Sequence, residues 1–421
     1  MLPFLQRARR CPPFWSLWRR CASEKTTVMS FGDGSQCAVG LPPGLDAYEP
    51  TPIASLPPDV CSIGVGHYHS LAVTSSGQVW EWGRNSEFQL GRRLPSARHT
   101  WSEPQRVEGL DHVSVHSAYA SGVISAIIGE DGSLWVWGKS KRGQLGLGKD
   151  VFESVAPVRV KKLAGEVIVK AAFGWGHALA LSDSGKLFGW GYYADGRIGD
   201  VLGKGFVVSP LESVSAATDE LDMPIIWEPA LIEEVKNIQV VDISCGLDHS
   251  LVLCRDGTLL SGGSNVYGQL GRSKGSIESG LHPVDLPSFQ PVKIASGLGH
   301  SLALCHPRPS EASNDAGSSI VSWGWNDSFQ LGRRGKESAP SVIDSLAGKN
   351  PVMISGGRVH SVAVTANRDV WTWGCGKNGR LGLGSSTDEP DPMPVECLDG
   401  FEVLQAEAGF DHTLVLVVGN C

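Results

Sequence analysis

One pattern recurs seven times along this chain: a paired Gly after an aromatic residue (Gly-Gly in one copy), a short polar loop, then a hydrophobic residue and a closing Gly. The copies open at Phe31-Gly32, Trp82-Gly83, Trp137-Gly138, Trp190-Gly191, Gly262-Gly263, Trp323-Gly324 and Trp373-Gly374. They close at Gly40, Gly91, Gly146, Gly199, Gly271, Gly332 and Gly382. A second signature, Gly-x-x-His before an apolar run, lies between them at Gly66–His69, Gly174–His177, Gly246–His249, Gly297–His300, Gly357–His360 and Gly409–His412, with Ala118-Tyr119-Ala120-Ser121 as a worn copy in the remaining slot. A unit of roughly 50 residues repeated this way cannot bury its apolar faces alone, so neighbours must stack.

Each unit reads as a small antiparallel sheet. In the second, Ser70–Thr74 is a strand, Ser75-Ser76-Gly77 a turn and Gln78–Trp82 the returning strand, with glycine supplying the positive φ of a tight hairpin. Seven such sheets arranged radially leave only short, protected edges. The fold expected is therefore all-β, a seven-bladed propeller. A strand at Val28–Phe31 and another at Thr413–Val418 are expected to share one blade and close the ring.

The string Gly-x-x-His-Ser-Leu-Ala-Leu-x-x-x-Gly-x-Val-x-x-Trp-Gly…Gln-Leu-Gly, clearest at Gly66–Gly91 and Gly357–Gly384, resembles the repeat of the regulator of chromosome condensation. The resemblance covers about residues 28–418. It implies the propeller fold, and a function drawn from a family that includes a nuclear Ran exchange factor, a plant ultraviolet-B receptor, a bacterial β-lactamase-inhibitor protein and organellar members tied to RNA processing or GTPases. Function lives in sites placed on a fold, so the repeat alone does not choose among them.

The first residues differ from the rest. Arg7, Arg9, Arg10, Arg19 and Arg20 occur with no acid before Glu24, beside Leu2, Phe4, Leu5, Phe14, Trp15, Leu17 and Trp18. A basic, acid-poor, amphipathic stretch over 1–27 resembles a transit peptide. Arginine excess and scarce serine favour mitochondria over plastids; cytoplasm and nucleus are the other locations. The full chain has 36 basic and 44 acidic residues, net −8, and without its first 23 residues 31 against 44, net −13. Double-stranded nucleic acid selects a basic face, so direct duplex binding is not expected. The candidate basic patches are Lys139, Lys141 and Arg142, with Arg333 and Arg334. No run approaches the roughly 20 apolar residues of a membrane span. Ten cysteines without a Cys-x-x-Cys spacing, among them Cys245, Cys254 and Cys305 in expected strands, read as reduced core thiols of a reducing compartment.

Catalytic motifs are missing: there is no phosphate loop of Gly-x-x-x-x-Gly-Lys-Ser/Thr type and no His-Glu-x-x-His. Gly374–Gly379 matches Gly-x-Gly-x-x-Gly but leads into Arg380-Leu381-Gly382 rather than a helix, so it lacks the helix N-terminus a pyrophosphate needs. The repeat histidines His69, His177, His249, His300, His360 and His412 occupy one place in different blades, and buried imidazoles bonded to backbone are expected instead of a metal site. The chain reads as a non-enzyme without cofactor.

Two departures from the repeat carry more information. Gly191 and Gly263 are 72 residues apart, against 50–61 elsewhere. The excess is assigned to Asp200–Ile238, an insertion holding Glu212, Asp219, Glu220, Asp222, Trp227 and Glu228, and readable as a partner-binding wing or as a loop folded over its blade. A second insertion, 306–318, reads as a disordered spacer.

The leading function is a non-catalytic scaffold whose loop-bearing face binds a protein or an RNA–protein complex in an organelle. The alternative is guanine-nucleotide exchange on a small GTPase. The Ran exchange factor uses an acidic residue in a Trp-Gly-x-x-x-Asp loop, and Trp190-Gly191-Tyr192-Tyr193-Ala194-Asp195 has that spacing; Asp195-Gly196 is equally an ordinary turn pair. Candidate partner-binding residues are thus Asp195, Tyr192 and Tyr193 with the acids and Trp227 of the insertion. Ultraviolet-B sensing would require several Gly-Trp-Arg-His-Thr motifs, whereas only Gly174-Trp175-Gly176-His177 carries the Trp, the matching positions being Leu247, Leu298, Arg358 and Phe410. That reading is set aside.

Overall fold

In the computed structural model, residues 24–92, 100–201, 224–272, 280–308 and 317–419 are described. Seven four-stranded antiparallel sheets stand around a central channel. Blade 1 spans residues 60–106, blade 2 115–159, blade 3 168–231, blade 4 240–283, blade 5 289–342 and blade 6 351–394. Blade 7 takes Glu402–Ala408 and His412–Val418 from the end of the chain and Thr26–Gly32 and Ala47–Pro52 from its beginning, in the spatial order 402–408, 412–418, 26–32, 47–52. The closing ladder is unbroken from Thr26 opposite Val418 to Gly32 opposite His412. The closing strand thus begins at Thr26, two residues before the Val28 expected from the sequence.

The blades adhere through a repeated device. The indoles of Trp82, Trp137, Trp190, Trp323 and Trp373 are fully buried between blades. Each Nε1 donates to a loop carbonyl of the preceding blade: Trp82 to Ala38 at 2.8 Å, Trp137 to Gln89 at 2.8 Å, Trp190 to Gln144 at 2.7 Å, Trp323 to Gln269 at 2.9 Å and Trp373 to Gln330 at 2.9 Å. This accounts for the Gln-Leu-Gly ending of the repeat. In Gln89-Leu90-Gly91 the glutamine carbonyl accepts the indole and Leu90 is buried. Gly91 has φ 59°, and a Cβ there would come within 2.9 Å of Trp137 Nε1. Only glycine allows both the left-handed backbone and the close approach.

The sequence misplaced two features. The worn signature of blade 2 sits three residues later than Ala118–Ser121: Ile124 pairs with Gly138 as His69 pairs with Gly83, so Ser121-Gly122-Val123-Ile124 holds the slot. The insertion after Gly199 is also shorter than 200–238. Residues Ile225–Leu231, with Trp227 and Glu228, are the ordinary outer strand of blade 3, paired with Phe188–Tyr192. The turn Glu233–Val235 matches turns at Asp344–Leu346 and Glu396–Leu398 in other blades. Period counting could not separate an outer strand from an insertion, because outer strands carry neither the Gly-x-x-His nor the Trp-Gly mark by which the units are counted. Glu212, Asp219, Glu220 and Asp222, most of the 306–318 segment and residues 1–23 lie outside the described residues.

Closure by the first strand gives a direct test. Val28, Met29 and Phe31 are buried against the last strand and the neighbouring blades. Deleting Val28–Phe31 should expose an edge and lower and broaden the thermal transition measured by circular dichroism. A truncated chain that melts like the intact one would refute the closing role.

A candidate interaction face

At one end of the channel the innermost strand of each blade turns through Gly-x-x-His, and beside it the Trp-Gly loop leaves the third strand. The two are stitched together by backbone bonds of one kind: Arg84 N to Tyr68 O, Tyr192 N to Gly176 O and Trp325 N to Gly299 O, each 2.8 Å. These bonds hold both segments at the same end of the ring.

The six repeat histidines lie just beneath it, fully buried and one per blade. Each Nε2 meets a hydroxyl of the next blade: His69 with Ser125 at 2.8 Å, His177 with Ser250 at 2.9 Å, His249 with Ser301 at 3.0 Å, His300 with Ser361 at 2.9 Å, His360 with Thr413 at 3.0 Å and His412 with Ser70 at 2.8 Å. The expected bond to backbone is thus relayed through a hydroxyl. Five of these hydroxyls donate to a carbonyl: Ser125 to Gln89, Ser301 to Gln269, Ser361 to Gln330, Thr413 to Arg380 and Ser70 to Ala38. With its only proton so engaged, the hydroxyl must accept from the imidazole, which fixes the neutral Nε2–H tautomer. Burial pushes His69, His249 and His300 down to about 3 and His412 to about 4. Among the described residues no group of three or more His, Cys, Asp or Glu side chains could hold a metal ion.

The residues after each signature glycine form the rim of the channel mouth. His67 stacks on Trp175 with ring centroids 5.5 Å apart and lies 4.6 Å from Phe410. It can reach Trp175 across blade 2 because Gly122 stands between; a Cβ there would be 2.7 Å from His67 Nδ1. Burial, then the charge of Arg358, holds His67 down at about 4. Cations lie over the aromatic rings: Arg84 over Tyr68 at 5.4 Å, Arg142 over Trp175 at 5.9 Å and over Tyr192 at 5.8 Å, Arg358 over Phe410 at 4.5 Å. Arg358 pairs with Asp411 at 2.8 Å. Trp175 remains 40% exposed.

Asp195 and Tyr192 belong to this face. Asp195 has φ 60° and accepts from Arg197 at 3.1 Å, while Arg197 also pairs with Asp248 of blade 4 and covers the Tyr192 ring at 4.8 Å. Blade 6 repeats the arrangement with Asn378 at φ 59° and an Arg380–Asp411 pair, so the Asp195 turn is a form the repeat uses twice. Tyr193 instead packs against the core between blades 3 and 4. Trp227 lies away from the channel mouth on the outer strand of blade 3, edge-on to Phe152 of blade 2 at 5.6 Å, and Glu228 is exposed beside it. The proposed basic patches divide. Lys139 pairs with Glu153 at 2.8 Å, Arg142 joins the aromatic face, and Arg333 is buried, donating to Ser322 O at 2.7 Å and Ala339 O at 2.8 Å. Tyr68, Phe410 and Arg84 were missed because each is an unremarkable residue until the turns bring it beside its neighbours.

Around the channel, about 480 Å3, polar side chains of the innermost strands have a structural task. Innermost strands present free backbone edges, and neighbouring blades cap them. Gln405 accepts from Ile63 N and donates to Ile63 O, both 3.0 Å; Asp242 accepts from Ile294 N at 3.2 Å; Lys293 donates to Val352 O at 3.0 Å. The Gly374–Gly379 match is a closed turn, in which a Cβ on Gly376 would lie 1.8 Å from Thr387 O.

Fold and face together define a closed seven-bladed propeller of repeated Gly-x-x-His and Trp-Gly units with an aromatic and arginine-rich rim. The chain matches the RCC1-like domain family over residues 27–415 and belongs to that family. It is similar to the ultraviolet-B receptor UVR8 of Arabidopsis thaliana, 28% identical over 378 residues, covering 88% of this chain and 78% of that protein. It is 31% identical over 304 residues to the secretion-regulating guanine nucleotide exchange factor of Mus musculus, 68% of this chain and 63% of that one, and 28% identical to the mitochondrial RCC1 domain-containing protein RUG3 of Arabidopsis thaliana, 84% and 76%. The chain spans 7% of the human ubiquitin ligase HERC2, to which it is 31% identical over 353 residues covering 82% of this chain. The crystal structure of Prp20p from Saccharomyces cerevisiae aligns with a TM-score of 0.77 at 22% identity, over 95% of this chain and 93% of that one, and shows the shared fold. No helix among the described residues is long and apolar enough to cross a membrane.

The buried histidines yield a test with a defined sign. Replacing His300 with Ala leaves Ser361 without its donor and should cost about 1–3 kcal/mol at pH 7. His300 titrates near 3 when folded and near 6.5 when unfolded, so its stabilisation is complete above pH 6.5 and is lost as the pH falls. Urea melts at pH 7 and pH 5 should therefore show the gap between wild type and variant shrinking, by up to about 1.4 kcal/mol per pH unit. A gap independent of pH would place His300 in contact with solvent.

Proposed function

We propose that this protein is a non-catalytic scaffold that binds a protein partner through the Gly-x-x-His face. The observation that carries this reading is the cluster of Tyr68, Trp175, Tyr192 and Phe410 interleaved with Arg84, Arg142 and Arg358. Trp, Tyr and Arg are the residues that dominate binding energy at protein interfaces. A rigid ring holding varied side chains on short turns suits that task. The acidic balance of the chain favours a protein over an RNA–protein complex. Trp175→Ala and Arg142→Glu should each remove a partner captured by the tagged wild-type chain and identified by mass spectrometry, without lowering Tm. An unchanged set of partners would defeat the assignment to this face.

A second reading, nucleotide exchange on a small GTPase, is favoured by the placement of Asp195 on the same face and by the exchange factor among the relatives. Exchange needs only a surface that prefers the nucleotide-free GTPase. Asn is tolerated at this left-handed position, as Asn378 illustrates, so Asp195→Asn tests the carboxylate without disturbing the turn. Release of fluorescent GDP from a panel of small GTPases should be accelerated by wild type and about tenfold less by the variant, a loss of about 1.4 kcal/mol. No acceleration with any member of the panel would leave the scaffold reading alone.

The location proposed is mitochondrial, supported by the five arginines before Glu24 and by a mitochondrial relative. Residues 1–27 fused to a fluorescent reporter should direct import, and Arg→Glu changes at Arg9, Arg10, Arg19 and Arg20 should abolish it by reversing attraction to a negative-inside potential. A diffuse cytosolic or nuclear signal would overturn this location.

A further inference from the structure

In every one of the seven repeat loops the residue three before the closing Gly takes a left-handed backbone. Glycine does so at Gly143, Gly196, Gly268 and Gly379, with φ between 71° and 80°; Cys37, Phe88 and Phe329 do so at φ 62°, 62° and 64°. A bulky aromatic residue in that region is a genuine outlier. The loops of blades 4 and 5 are otherwise the same turn. Asn265 and Asn326 accept from Leu270 N and Leu331 N at 3.1 and 2.9 Å, and Gln269 and Gln330 accept from Tyr267 N and Ser328 N at 2.9 Å. Blade 4 makes this turn with Gly268, so nothing in the fold requires phenylalanine at 329.

The other two exceptions have packing reasons. Cys37 is buried, and Phe88 is half-buried under Lys139 Nζ at 5.9 Å. Phe329 is 43% exposed, and no ring or cation lies against it among the described residues. An unfavourable backbone that holds an apolar side chain out to water benefits neither folding nor solubility. Strain of this kind is retained where a surface is used.

Its surroundings form a shelf. Trp325, at the start of the same loop, stacks on Tyr267 of blade 4 with centroids 5.2 Å apart and planes 27° apart. Gly299 leaves room for the pair, since a Cβ there would lie 3.3 Å from Trp325 Cβ and 3.4 Å from Tyr267 Cδ2. Tyr267 is 43% exposed and Val266 70%. The exposed cations Arg334 and Lys336 follow on the loop of Phe329, and Lys377 lies on the loop of blade 6; the opposing charges on the Phe329 loop are exposed Asp327 and half-buried Glu337, the latter acting on buried Arg333. Among the described residues, none of these three cations is ion-paired. The shelf is apolar with a cationic border, which suits apolar side chains flanked by carboxylates.

We propose that Phe329, with Trp325, Tyr267 and Val266, is a docking shelf on blades 4 and 5 for an acidic amphipathic segment of a protein partner. It rests on the reading of this face as protein-binding and adds a second anchor away from Trp175.

The test uses the full chain and a synthetic amphipathic helical peptide with Leu and Phe on one face and Glu on the other, titrated by fluorescence anisotropy. Wild type should bind it. Phe329→Gly, which copies the sibling turn, should bind roughly tenfold more weakly or worse while its Tm stays equal or rises. Phe329→Tyr should retain binding. Absence of binding to wild type, equal affinity for Phe329→Gly, or equal affinity for a peptide with Lys in place of Glu would each overturn the proposal. A lower Tm for Phe329→Gly would also overturn it, by making the phenylalanine a folding residue. Trp175→Ala separates the two readings: if it weakens binding and Phe329→Gly does not, the rim of blades 1–3 stands and the shelf falls.

Discussion

In blades 1, 4, 5 and 7 a single loop carbonyl carries most of what holds the next blade in place. Gln89 O receives the Trp137 indole and the Ser125 hydroxyl from blade 2, and Ser125 in turn receives His69 of blade 1. Gln269 O and Gln330 O do the same for Trp323 with Ser301 and for Trp373 with Ser361. These bonds are closed to water, where an unpaired donor is costly, so adjacent blades have little freedom to slide. Blade 4 lacks the indole. Gly262 takes its place, and a Cβ there would lie 2.7 Å from Gly196 O and 3.0 Å from the Leu281 side chain, so chain from the preceding loop fills the space.

The network also accounts for its own exception. Blade 2 has Ile124 where the others have histidine, and the hydroxyl it would have met is replaced by Ala178. Both are fully buried in the cluster between blades 2 and 3. Replacing both partners of a buried hydrogen bond with apolar groups is nearly neutral, whereas replacing one is not. Ile124 and Ala178 therefore form one substitution spread over two blades, and blade 2 is intact despite its faint signature.

Because the frame is held beneath the surface, the tips above it are free to vary. The two residues between each glycine and histidine, and between Ser121 and Ile124 in blade 2, run His67-Tyr68, Gly122-Val123, Trp175-Gly176, Leu247-Asp248, Leu298-Gly299, Arg358-Val359 and Phe410-Asp411. Glycines among them matter as much as side chains: Gly122 admits the His67 ring, and Gly299 the Tyr267–Trp325 stack. This separation of a repeated frame from varied tips lets one fold carry different surfaces.

The sequence by itself determined the number of blades, their order and the closure by the chain ends, because each follows from residues whose role is local and repeated. A Trp that must be buried, a Gly that must be left-handed and a His before an apolar strand leave the same mark in every unit. It could not assign the outer strand at Ile225–Leu231, which carries neither the Gly-x-x-His nor the Trp-Gly mark of the repeat, nor the register of Ser121–Ile124 once the histidine was gone. The face was less legible still. Asp195 and Tyr192 were found through spacing, but Arg142 meets Trp175 and Tyr192, and His67 meets Trp175 and Phe410, only when the ring brings separate blades together. Those contacts are set by the closed radial packing of seven sheets, a property no single repeat contains.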